Sequence, residues 1–161
     1  MARGGTAIGV AMDLGYPGSF SRNGDCVISN RPVDLNATES IAFGDLVALN
    51  PDNTVTKLPA GQSNTDLLLG IAVREVKQFQ EVGQDHGDYK AGEPCDVLER
   101  GSVTIICETG TPTAGGKVYF VPATAAISAA AAGNVEIPNM RFTTGKRDNN
   151  NIVELTVLTR G

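Results

Sequence analysis

Two stretches, one in each half of the chain, carry a pattern that leaves little room for helix: Phe43-Gly44-Asp45-Leu46-Val47-Ala48-Leu49-Asn50-Pro51 and Ala114-Gly115-Gly116-Lys117-Val118-Tyr119-Phe120-Val121-Pro122. In each, a glycine turn feeds Val-x-apolar-x-Pro, and a further apolar residue, Val55 or Ile127, follows the next turn. Glycine permits positive φ, β-branched and aromatic residues suit a pleated surface, and proline ends a strand by removing a ladder donor. The later copy slips by one residue after its proline. The pattern predicts two similar strand–turn units sharing one β core, an internal echo that a duplication would explain.

The rest of the chain is punctuated in the same way. Residues 26–29 read as a short strand ended by Arg31-Pro32, and 55–58 alternate apolar and polar as a half-buried return strand does. The most apolar run, 67–73, suits a buried strand by its length and its bounding turns. Residues 77–92 read as a long polar surface loop. Residues 94–98 and 103–107 read as strands separated by Arg100-Gly101, a hairpin turn or a bulge. Alanine-rich 123–132 has the best helix propensity in the chain, with Gly133 placed to end it, whereas the matching position in the first copy is a turn and strand. Ile137-Pro138-Asn139 reads as a turn or edge, 145–151 as a polar hairpin tip, and 152–158 as a closing strand. Roughly ten short strands with turns about every 8–12 residues predict an all-β fold, a compact barrel or sandwich.

Length and composition agree. The chain has 161 residues, room for one domain with a real core, and its 41% hydrophobic content is that of a globular protein. Net charge is −5, and the arginines are scattered rather than striped, which speaks against nucleic-acid binding. With no tryptophan and 5% aromatics, the chain offers few rings for stacking or for sugar faces. Cys26, Cys95 and Cys107 have neither an even count nor C-x-x-C spacing, so they read as separate thiols in a reducing compartment. The apolar part of the N-terminal stretch, 7–12, is too short for a secretory signal or a membrane span; the expectation is a soluble protein with no membrane partner.

Residues 1–25 contain six glycines and no helical period. Each glycine loses more backbone entropy on ordering than other residues do, so this stretch is expected to be an extended arm on a single β domain of residues 26–161. Tyr16, Pro17 and Phe20 stand out in it as apolar anchors suited to a partner.

No site for chemistry emerges. His86, the one histidine, lies in Asp85-His86-Gly87-Asp88 without a second ligand at supporting spacing, so no metal is expected, and a serine or cysteine nucleophile would lack any other imidazole base. Residues 110–117 resemble a phosphate loop only faintly: Val118 stands where Ser or Thr is required, and a strand follows instead of a helix. Glu93 with Asp96, or Glu99 with Glu108, could face each other across a hairpin, which solvated surface charge explains equally well. The expectation is a non-enzymatic protein with no cofactor.

The order of several motifs resembles the head-decoration, or structural cement, proteins of tailed bacteriophages. They are Gly15-Tyr16-Pro17-Gly18-Ser19-Phe20-Ser21-Arg22, Ile41-Ala42-Phe43-Gly44, Gly70-Ile71-Ala72-Val73-Arg74, Tyr89-Lys90-Ala91-Gly92-Glu93, Val97-Leu98-Glu99-Arg100-Gly101-Ser102-Val103, Gly116-Lys117-Val118-Tyr119-Phe120 and Ile137-Pro138-Asn139-Met140-Arg141-Phe142. The resemblance implies a barrel or tulip-like β fold on the outer surface of a capsid. It implies clamping of major capsid protein subunits, usually by a homotrimer and in some phages by a homodimer. Tyr16, Pro17, Gly18, Phe20 and Arg22 are then the candidates for contact with capsid or neighbouring subunit. The runner-up expectation, from a different class, is a carbohydrate-binding or tail-associated β module of a virion.

Overall fold

In the computed structural model, which describes residues 14–74, 87–145 and 147–159, eleven β-strands follow one another with no helix among the described residues. They are β1 (Phe20–Pro32), β2 (Ile41–Ala42), β3 (Leu46–Leu49), β4 (Val55–Lys57), β5 (Leu68–Ala72), β6 (Asp88–Tyr89), β7 (Pro94–Ile106), β8 (Lys117–Phe120), β9 (Ile127–Ser128), β10 (Val135–Phe142) and β11 (Ile152–Val157). Nine form one curled antiparallel sheet in the order β4-β3-β5-β7-β11-β10-β8-β9, with β1 paired to β7; β2 and β6 form a separate pair.

The echo in the sequence is one part of a larger repeat. Pairing runs β1-β7-β5-β3-β4 in a first unit and β7-β11-β10-β8-β9 in a second, so the long strand β7 ends one unit and begins the next. Backbone hydrogen bonds recur at matching places. Val33 N–H donates to the Glu93 carbonyl at 2.9 Å, as Cys107 N–H does to that of Asn151 at 2.9 Å. Gly44 N–H donates to Ala72 and Gly115 N–H to Phe142, both at 2.8 Å, and Val73 to Asp96 (2.8 Å) matches Thr143 to Glu154 (2.9 Å). Gly44 and Gly115 lie at φ +89° and +73°, where a Cβ would be strained, which is why a glycine precedes each strand. The one-residue slip also has its place: the β3–β4 connection closes Asn50 on Thr54, whereas the β8–β9 connection closes Val121 on Ala126. The last residue inside each loop, Asn53 or Ala125, is left-handed. A parallel bridge, Val33 to Val55 or Thr109 to Ser128, covers the outer strand of each unit.

The cores match as well. Val33, Val47, Val55, Ala72, Cys95 and Val97 form the centre of one buried cluster. Their counterparts Cys107, Val118, Ile127, Phe142, Val153 and Leu155 lie in the other. The opposite faces differ. Leu46, Ala48, Ile71 and Leu98 of the first unit are buried in the larger cluster, whereas Lys117, Tyr119, Arg141 and Thr156 at the matching places in the second are exposed or half-buried. The second unit's outer face is thus polar, as the terminal face of a stacked pair has to be.

Several expectations are corrected. β7 is one 13-residue strand, so Arg100-Gly101 is no hairpin; the alternative holds, because the β1–β7 register shifts beside it. Glu99 and Glu108 therefore cannot face each other across a turn. At 123–132, where helix and turn-plus-strand both stood open, the turn and β9 hold: the propensity of alanine yields to the register that pairs Phe120 with Ile127. Pro138 lies inside β10, at the irregularity between Ile137 and Arg141 where a missing N–H breaks no ladder bond. Asp88 and Tyr89, expected in a loop, pair with β2; most of that loop, including Asp85 and His86, lies outside the described residues. The expected boundary between residues 25 and 26 falls inside β1.

Candidate functional site: the N-terminal segment

Tyr16-Pro17-Gly18-Ser19 forms a tight turn, with Ser19 N–H donating to the Tyr16 carbonyl at 3.3 Å and Gly18 at φ +76°. Proline presets the first central position, and glycine alone accepts the second without cost. The turn is seated on the body. Gly18 N–H donates to the Thr104 carbonyl (2.7 Å), Thr104 N–H to that of Ser19 (2.9 Å) and Arg74 N–H to that of Gly18 (2.8 Å). The Thr104 hydroxyl reaches the Tyr16 carbonyl at 2.6 Å. Pro17 and Gly18 are buried, and a Cβ on Gly18 would stand 2.9 Å from Cβ of Phe43 and 3.0 Å from the backbone nitrogens of Gly44 and Arg74.

The five candidate residues thus divide. Pro17 and Gly18 hold the segment down. Tyr16 is 59% and Phe20 45% exposed. The Arg74 guanidinium lies 4.4 Å from the centre of the Tyr16 ring, a cation–π contact that props the ring outward. Arg22 stays largely exposed but is tied to the body: its Nε donates to Glu154 Oε1 at 2.6 Å, joined by Ser21 Oγ at 2.9 Å. Glu154 is 5% exposed, so these bonds compensate a carboxylate taken out of water. They also hold the Arg22 guanidinium above its usual pKa.

Two apolar residues that sequence reasoning missed complete the surface. Val27 (49%) and Ile28 (44%) are both exposed although adjacent in β1, because the register shifts between them. Strand alternation would have buried one of the two, so no sequence signal marked the pair. Thr104, Arg74 and Glu154, which seat the segment, also carried no local signature.

Elsewhere the polar groups serve the fold. Asp96 accepts from Asn30 and Glu99 from Ser29, tying β1 to β7. Cys26 is half-buried, Cys95 and Cys107 are buried, none of the three is in a disulfide, and burial pushes the Cys107 thiol up. Among the described residues no group of three His, Cys, Asp or Glu side chains converges on a point where a metal ion could sit. A groove of about 430 Å³ runs beside β4, past Asp34, Glu39, Lys57 and Thr124. Its lysine is taken by Asp45 at 3.1 Å.

What fold and segment define together is an all-β double unit with an ordered, partly apolar N-terminal segment laid across its long central strand. The family model described as XM1 gp53 minor capsid protein matches residues 5–157, and the chain belongs to that family. Its role is accordingly structural, in the capsid of a phage virion. The fold is similar to a chain in the solved capsid of the Myoviridae phage XM1, with TM-score 0.71 and 15% identity over 94% of each chain. No curated protein is significantly similar to it.

Proposed function

We propose that this minor capsid protein is a cement protein of the outer head surface, a non-enzymatic clamp that holds neighbouring major capsid protein subunits together. The observation that carries the reading is where the exposed apolar side chains lie. Of the nine large hydrophobics that stand exposed among the described residues, Leu14, Tyr16, Phe20, Val27 and Ile28 come from 14–28. Exposed apolar side chains set along one hydrogen-bonded segment suit a protein partner. The assembly is a homotrimer, with a homodimer as the second choice. Several modest contacts engaged at once then act with the avidity of a linked set.

A protein that binds the assembled lattice and not the dissociated subunits stabilises it by mass action, by about 2.7 kcal/mol per site at a hundredfold excess over Kd. The test is to add the purified protein to emptied, expanded heads and follow their disruption temperature. The expected result is a saturable rise; no shift at saturation overturns the proposal.

A further inference from the structure

We infer that the outer edge of β1 at Ile28–Asn30 is a second arm-docking edge, filled by residues 6–12 of another copy of this chain. The internal repeat carries the inference. In the second unit the strand 101–107 pairs with β11 on one edge. On its other edge Thr104 N–H and C=O are both taken by the arm, through Ser19 and Gly18. The matching strand in the first unit is β1, and the place of Thr104 falls to Asn30: Asn30 pairs with Asp96 as Thr104 pairs with Glu154. Val33 N–H donates towards β7, so alternation turns Ile28 and Asn30 the other way. Along that edge β1 has no strand partner among the described residues. Val27 and Ile28 stand exposed beside it, where none of the described residues matches the segment that covers Thr104.

The occupant follows from chain direction and sequence. The arm runs antiparallel to β7, with Phe20 opposite Val103, and its earlier residues lead on to the β10–β11 tip, where Leu14 N–H donates to Asp148 at 2.9 Å. Leu14 therefore lies at the end remote from Asn30. Thirteen residues reach up to about 40 Å when extended. Within them Ile8, Val10 and Met12 alternate with Gly9 and Ala11, which gives an added strand one apolar face to lay against Val27 and Ile28. An arm that reaches the next copy makes a head-to-tail contact, and a rotation that closes it gives a ring. Three copies is the closure expected, on the oligomeric reading proposed above.

Native mass spectrometry of the full chain, paired with hydrogen exchange, tests this. The expected results are a three-chain species and an Asn30 amide protected in it. Removing residues 1–13 should yield single chains with a freely exchanging Asn30 amide and an unchanged circular dichroism spectrum. Asn30→Pro should do the same through the edge itself, by deleting the outward N–H. Asn30→Ser, which loses the same side-chain bond to Asp96 and keeps the amide, should remain a trimer. A single-chain full protein, an Asn30 amide that exchanges freely in the oligomer, or a trimer that survives both the truncation and Asn30→Pro overturns the inference. So does protection that arises only on heads, which would assign the edge to the capsid protein. Head stabilisation is scored separately. An arm-dependent trimer that fails to raise the disruption temperature sinks the cement reading and spares this one, and a monomer that raises it does the reverse.

Discussion

Gly18 carries more of the fold than any other residue of the N-terminal segment. Its φ of +76° and the 2.9 Å and 3.0 Å distances a Cβ would have to Phe43 and to two backbone nitrogens leave a side chain nowhere to go. Gly18→Ala should destabilise the protein by about 1–3 kcal/mol in urea unfolding, through strain and a displaced turn. Gly15→Ala meets open space, so only the strain of φ +96° remains and it should cost less than Gly18→Ala, about 1–2 kcal/mol. Tyr16→Ala removes one exposed ring and its contact with Arg74, so the melting temperature should barely move while attachment to heads weakens. A pH effect also belongs to single residues. Hydrogen bonds from the side chain and backbone of Thr54 hold the exposed Asp52 carboxylate below its usual range. Its contribution is present above the ordinary carboxylate value and fades as pH falls through the lowered one. Asp52→Asn should therefore flatten the acid limb of the stability–pH curve; an unchanged limb would refute the assignment.

At the scale of elements, the paired positions of the two units make their own controls. Val97 and Leu155 occupy the same place and both are 0% exposed. Each truncated to alanine should cost about 2–4 kcal/mol, the leucine more than the valine. Phe120 is fully buried, whereas its counterpart Leu49 is half-buried. Phe120→Ala should then cost about 3–5 kcal/mol and Leu49→Ala visibly less, as read from denaturant midpoints at constant slope. β7 shows what local patterning missed. Its glycine at φ +125° looked like a break, but Ser102, Val103 and Thr104 continue into the pairing with β11. A strand that serves two units has to pass through the position where one-unit logic puts a turn.

For the whole molecule, the repeat sets both stability and assembly. Leu46, Ile71 and Leu98 of the first unit are buried in the same cluster as Phe120 and Leu155 of the second. The two units should therefore unfold in one cooperative transition, with calorimetric and van't Hoff enthalpies equal; two resolved transitions would mean that the cores are independent. The fold class, the turn–strand–proline echo and the closing strand were all legible in the residues, because glycine, proline and two-residue alternation act over a few positions. The contacts that seat the arm were not legible, because they join residues more than fifty apart, such as Gly18 with Arg74 and Ser19 with Thr104.

By itself, the sequence determined where the backbone turns and which residues need burial, since steric limits on φ and the transfer of apolar groups from water are properties of each residue and its neighbours. Only the tertiary structure decided that Arg22 faces a buried carboxylate, that Val27 and Ile28 both reach solvent, and that the two echoes belong to units sharing β7. Those outcomes depend on strand register, and register is chosen by the packing of the whole sheet.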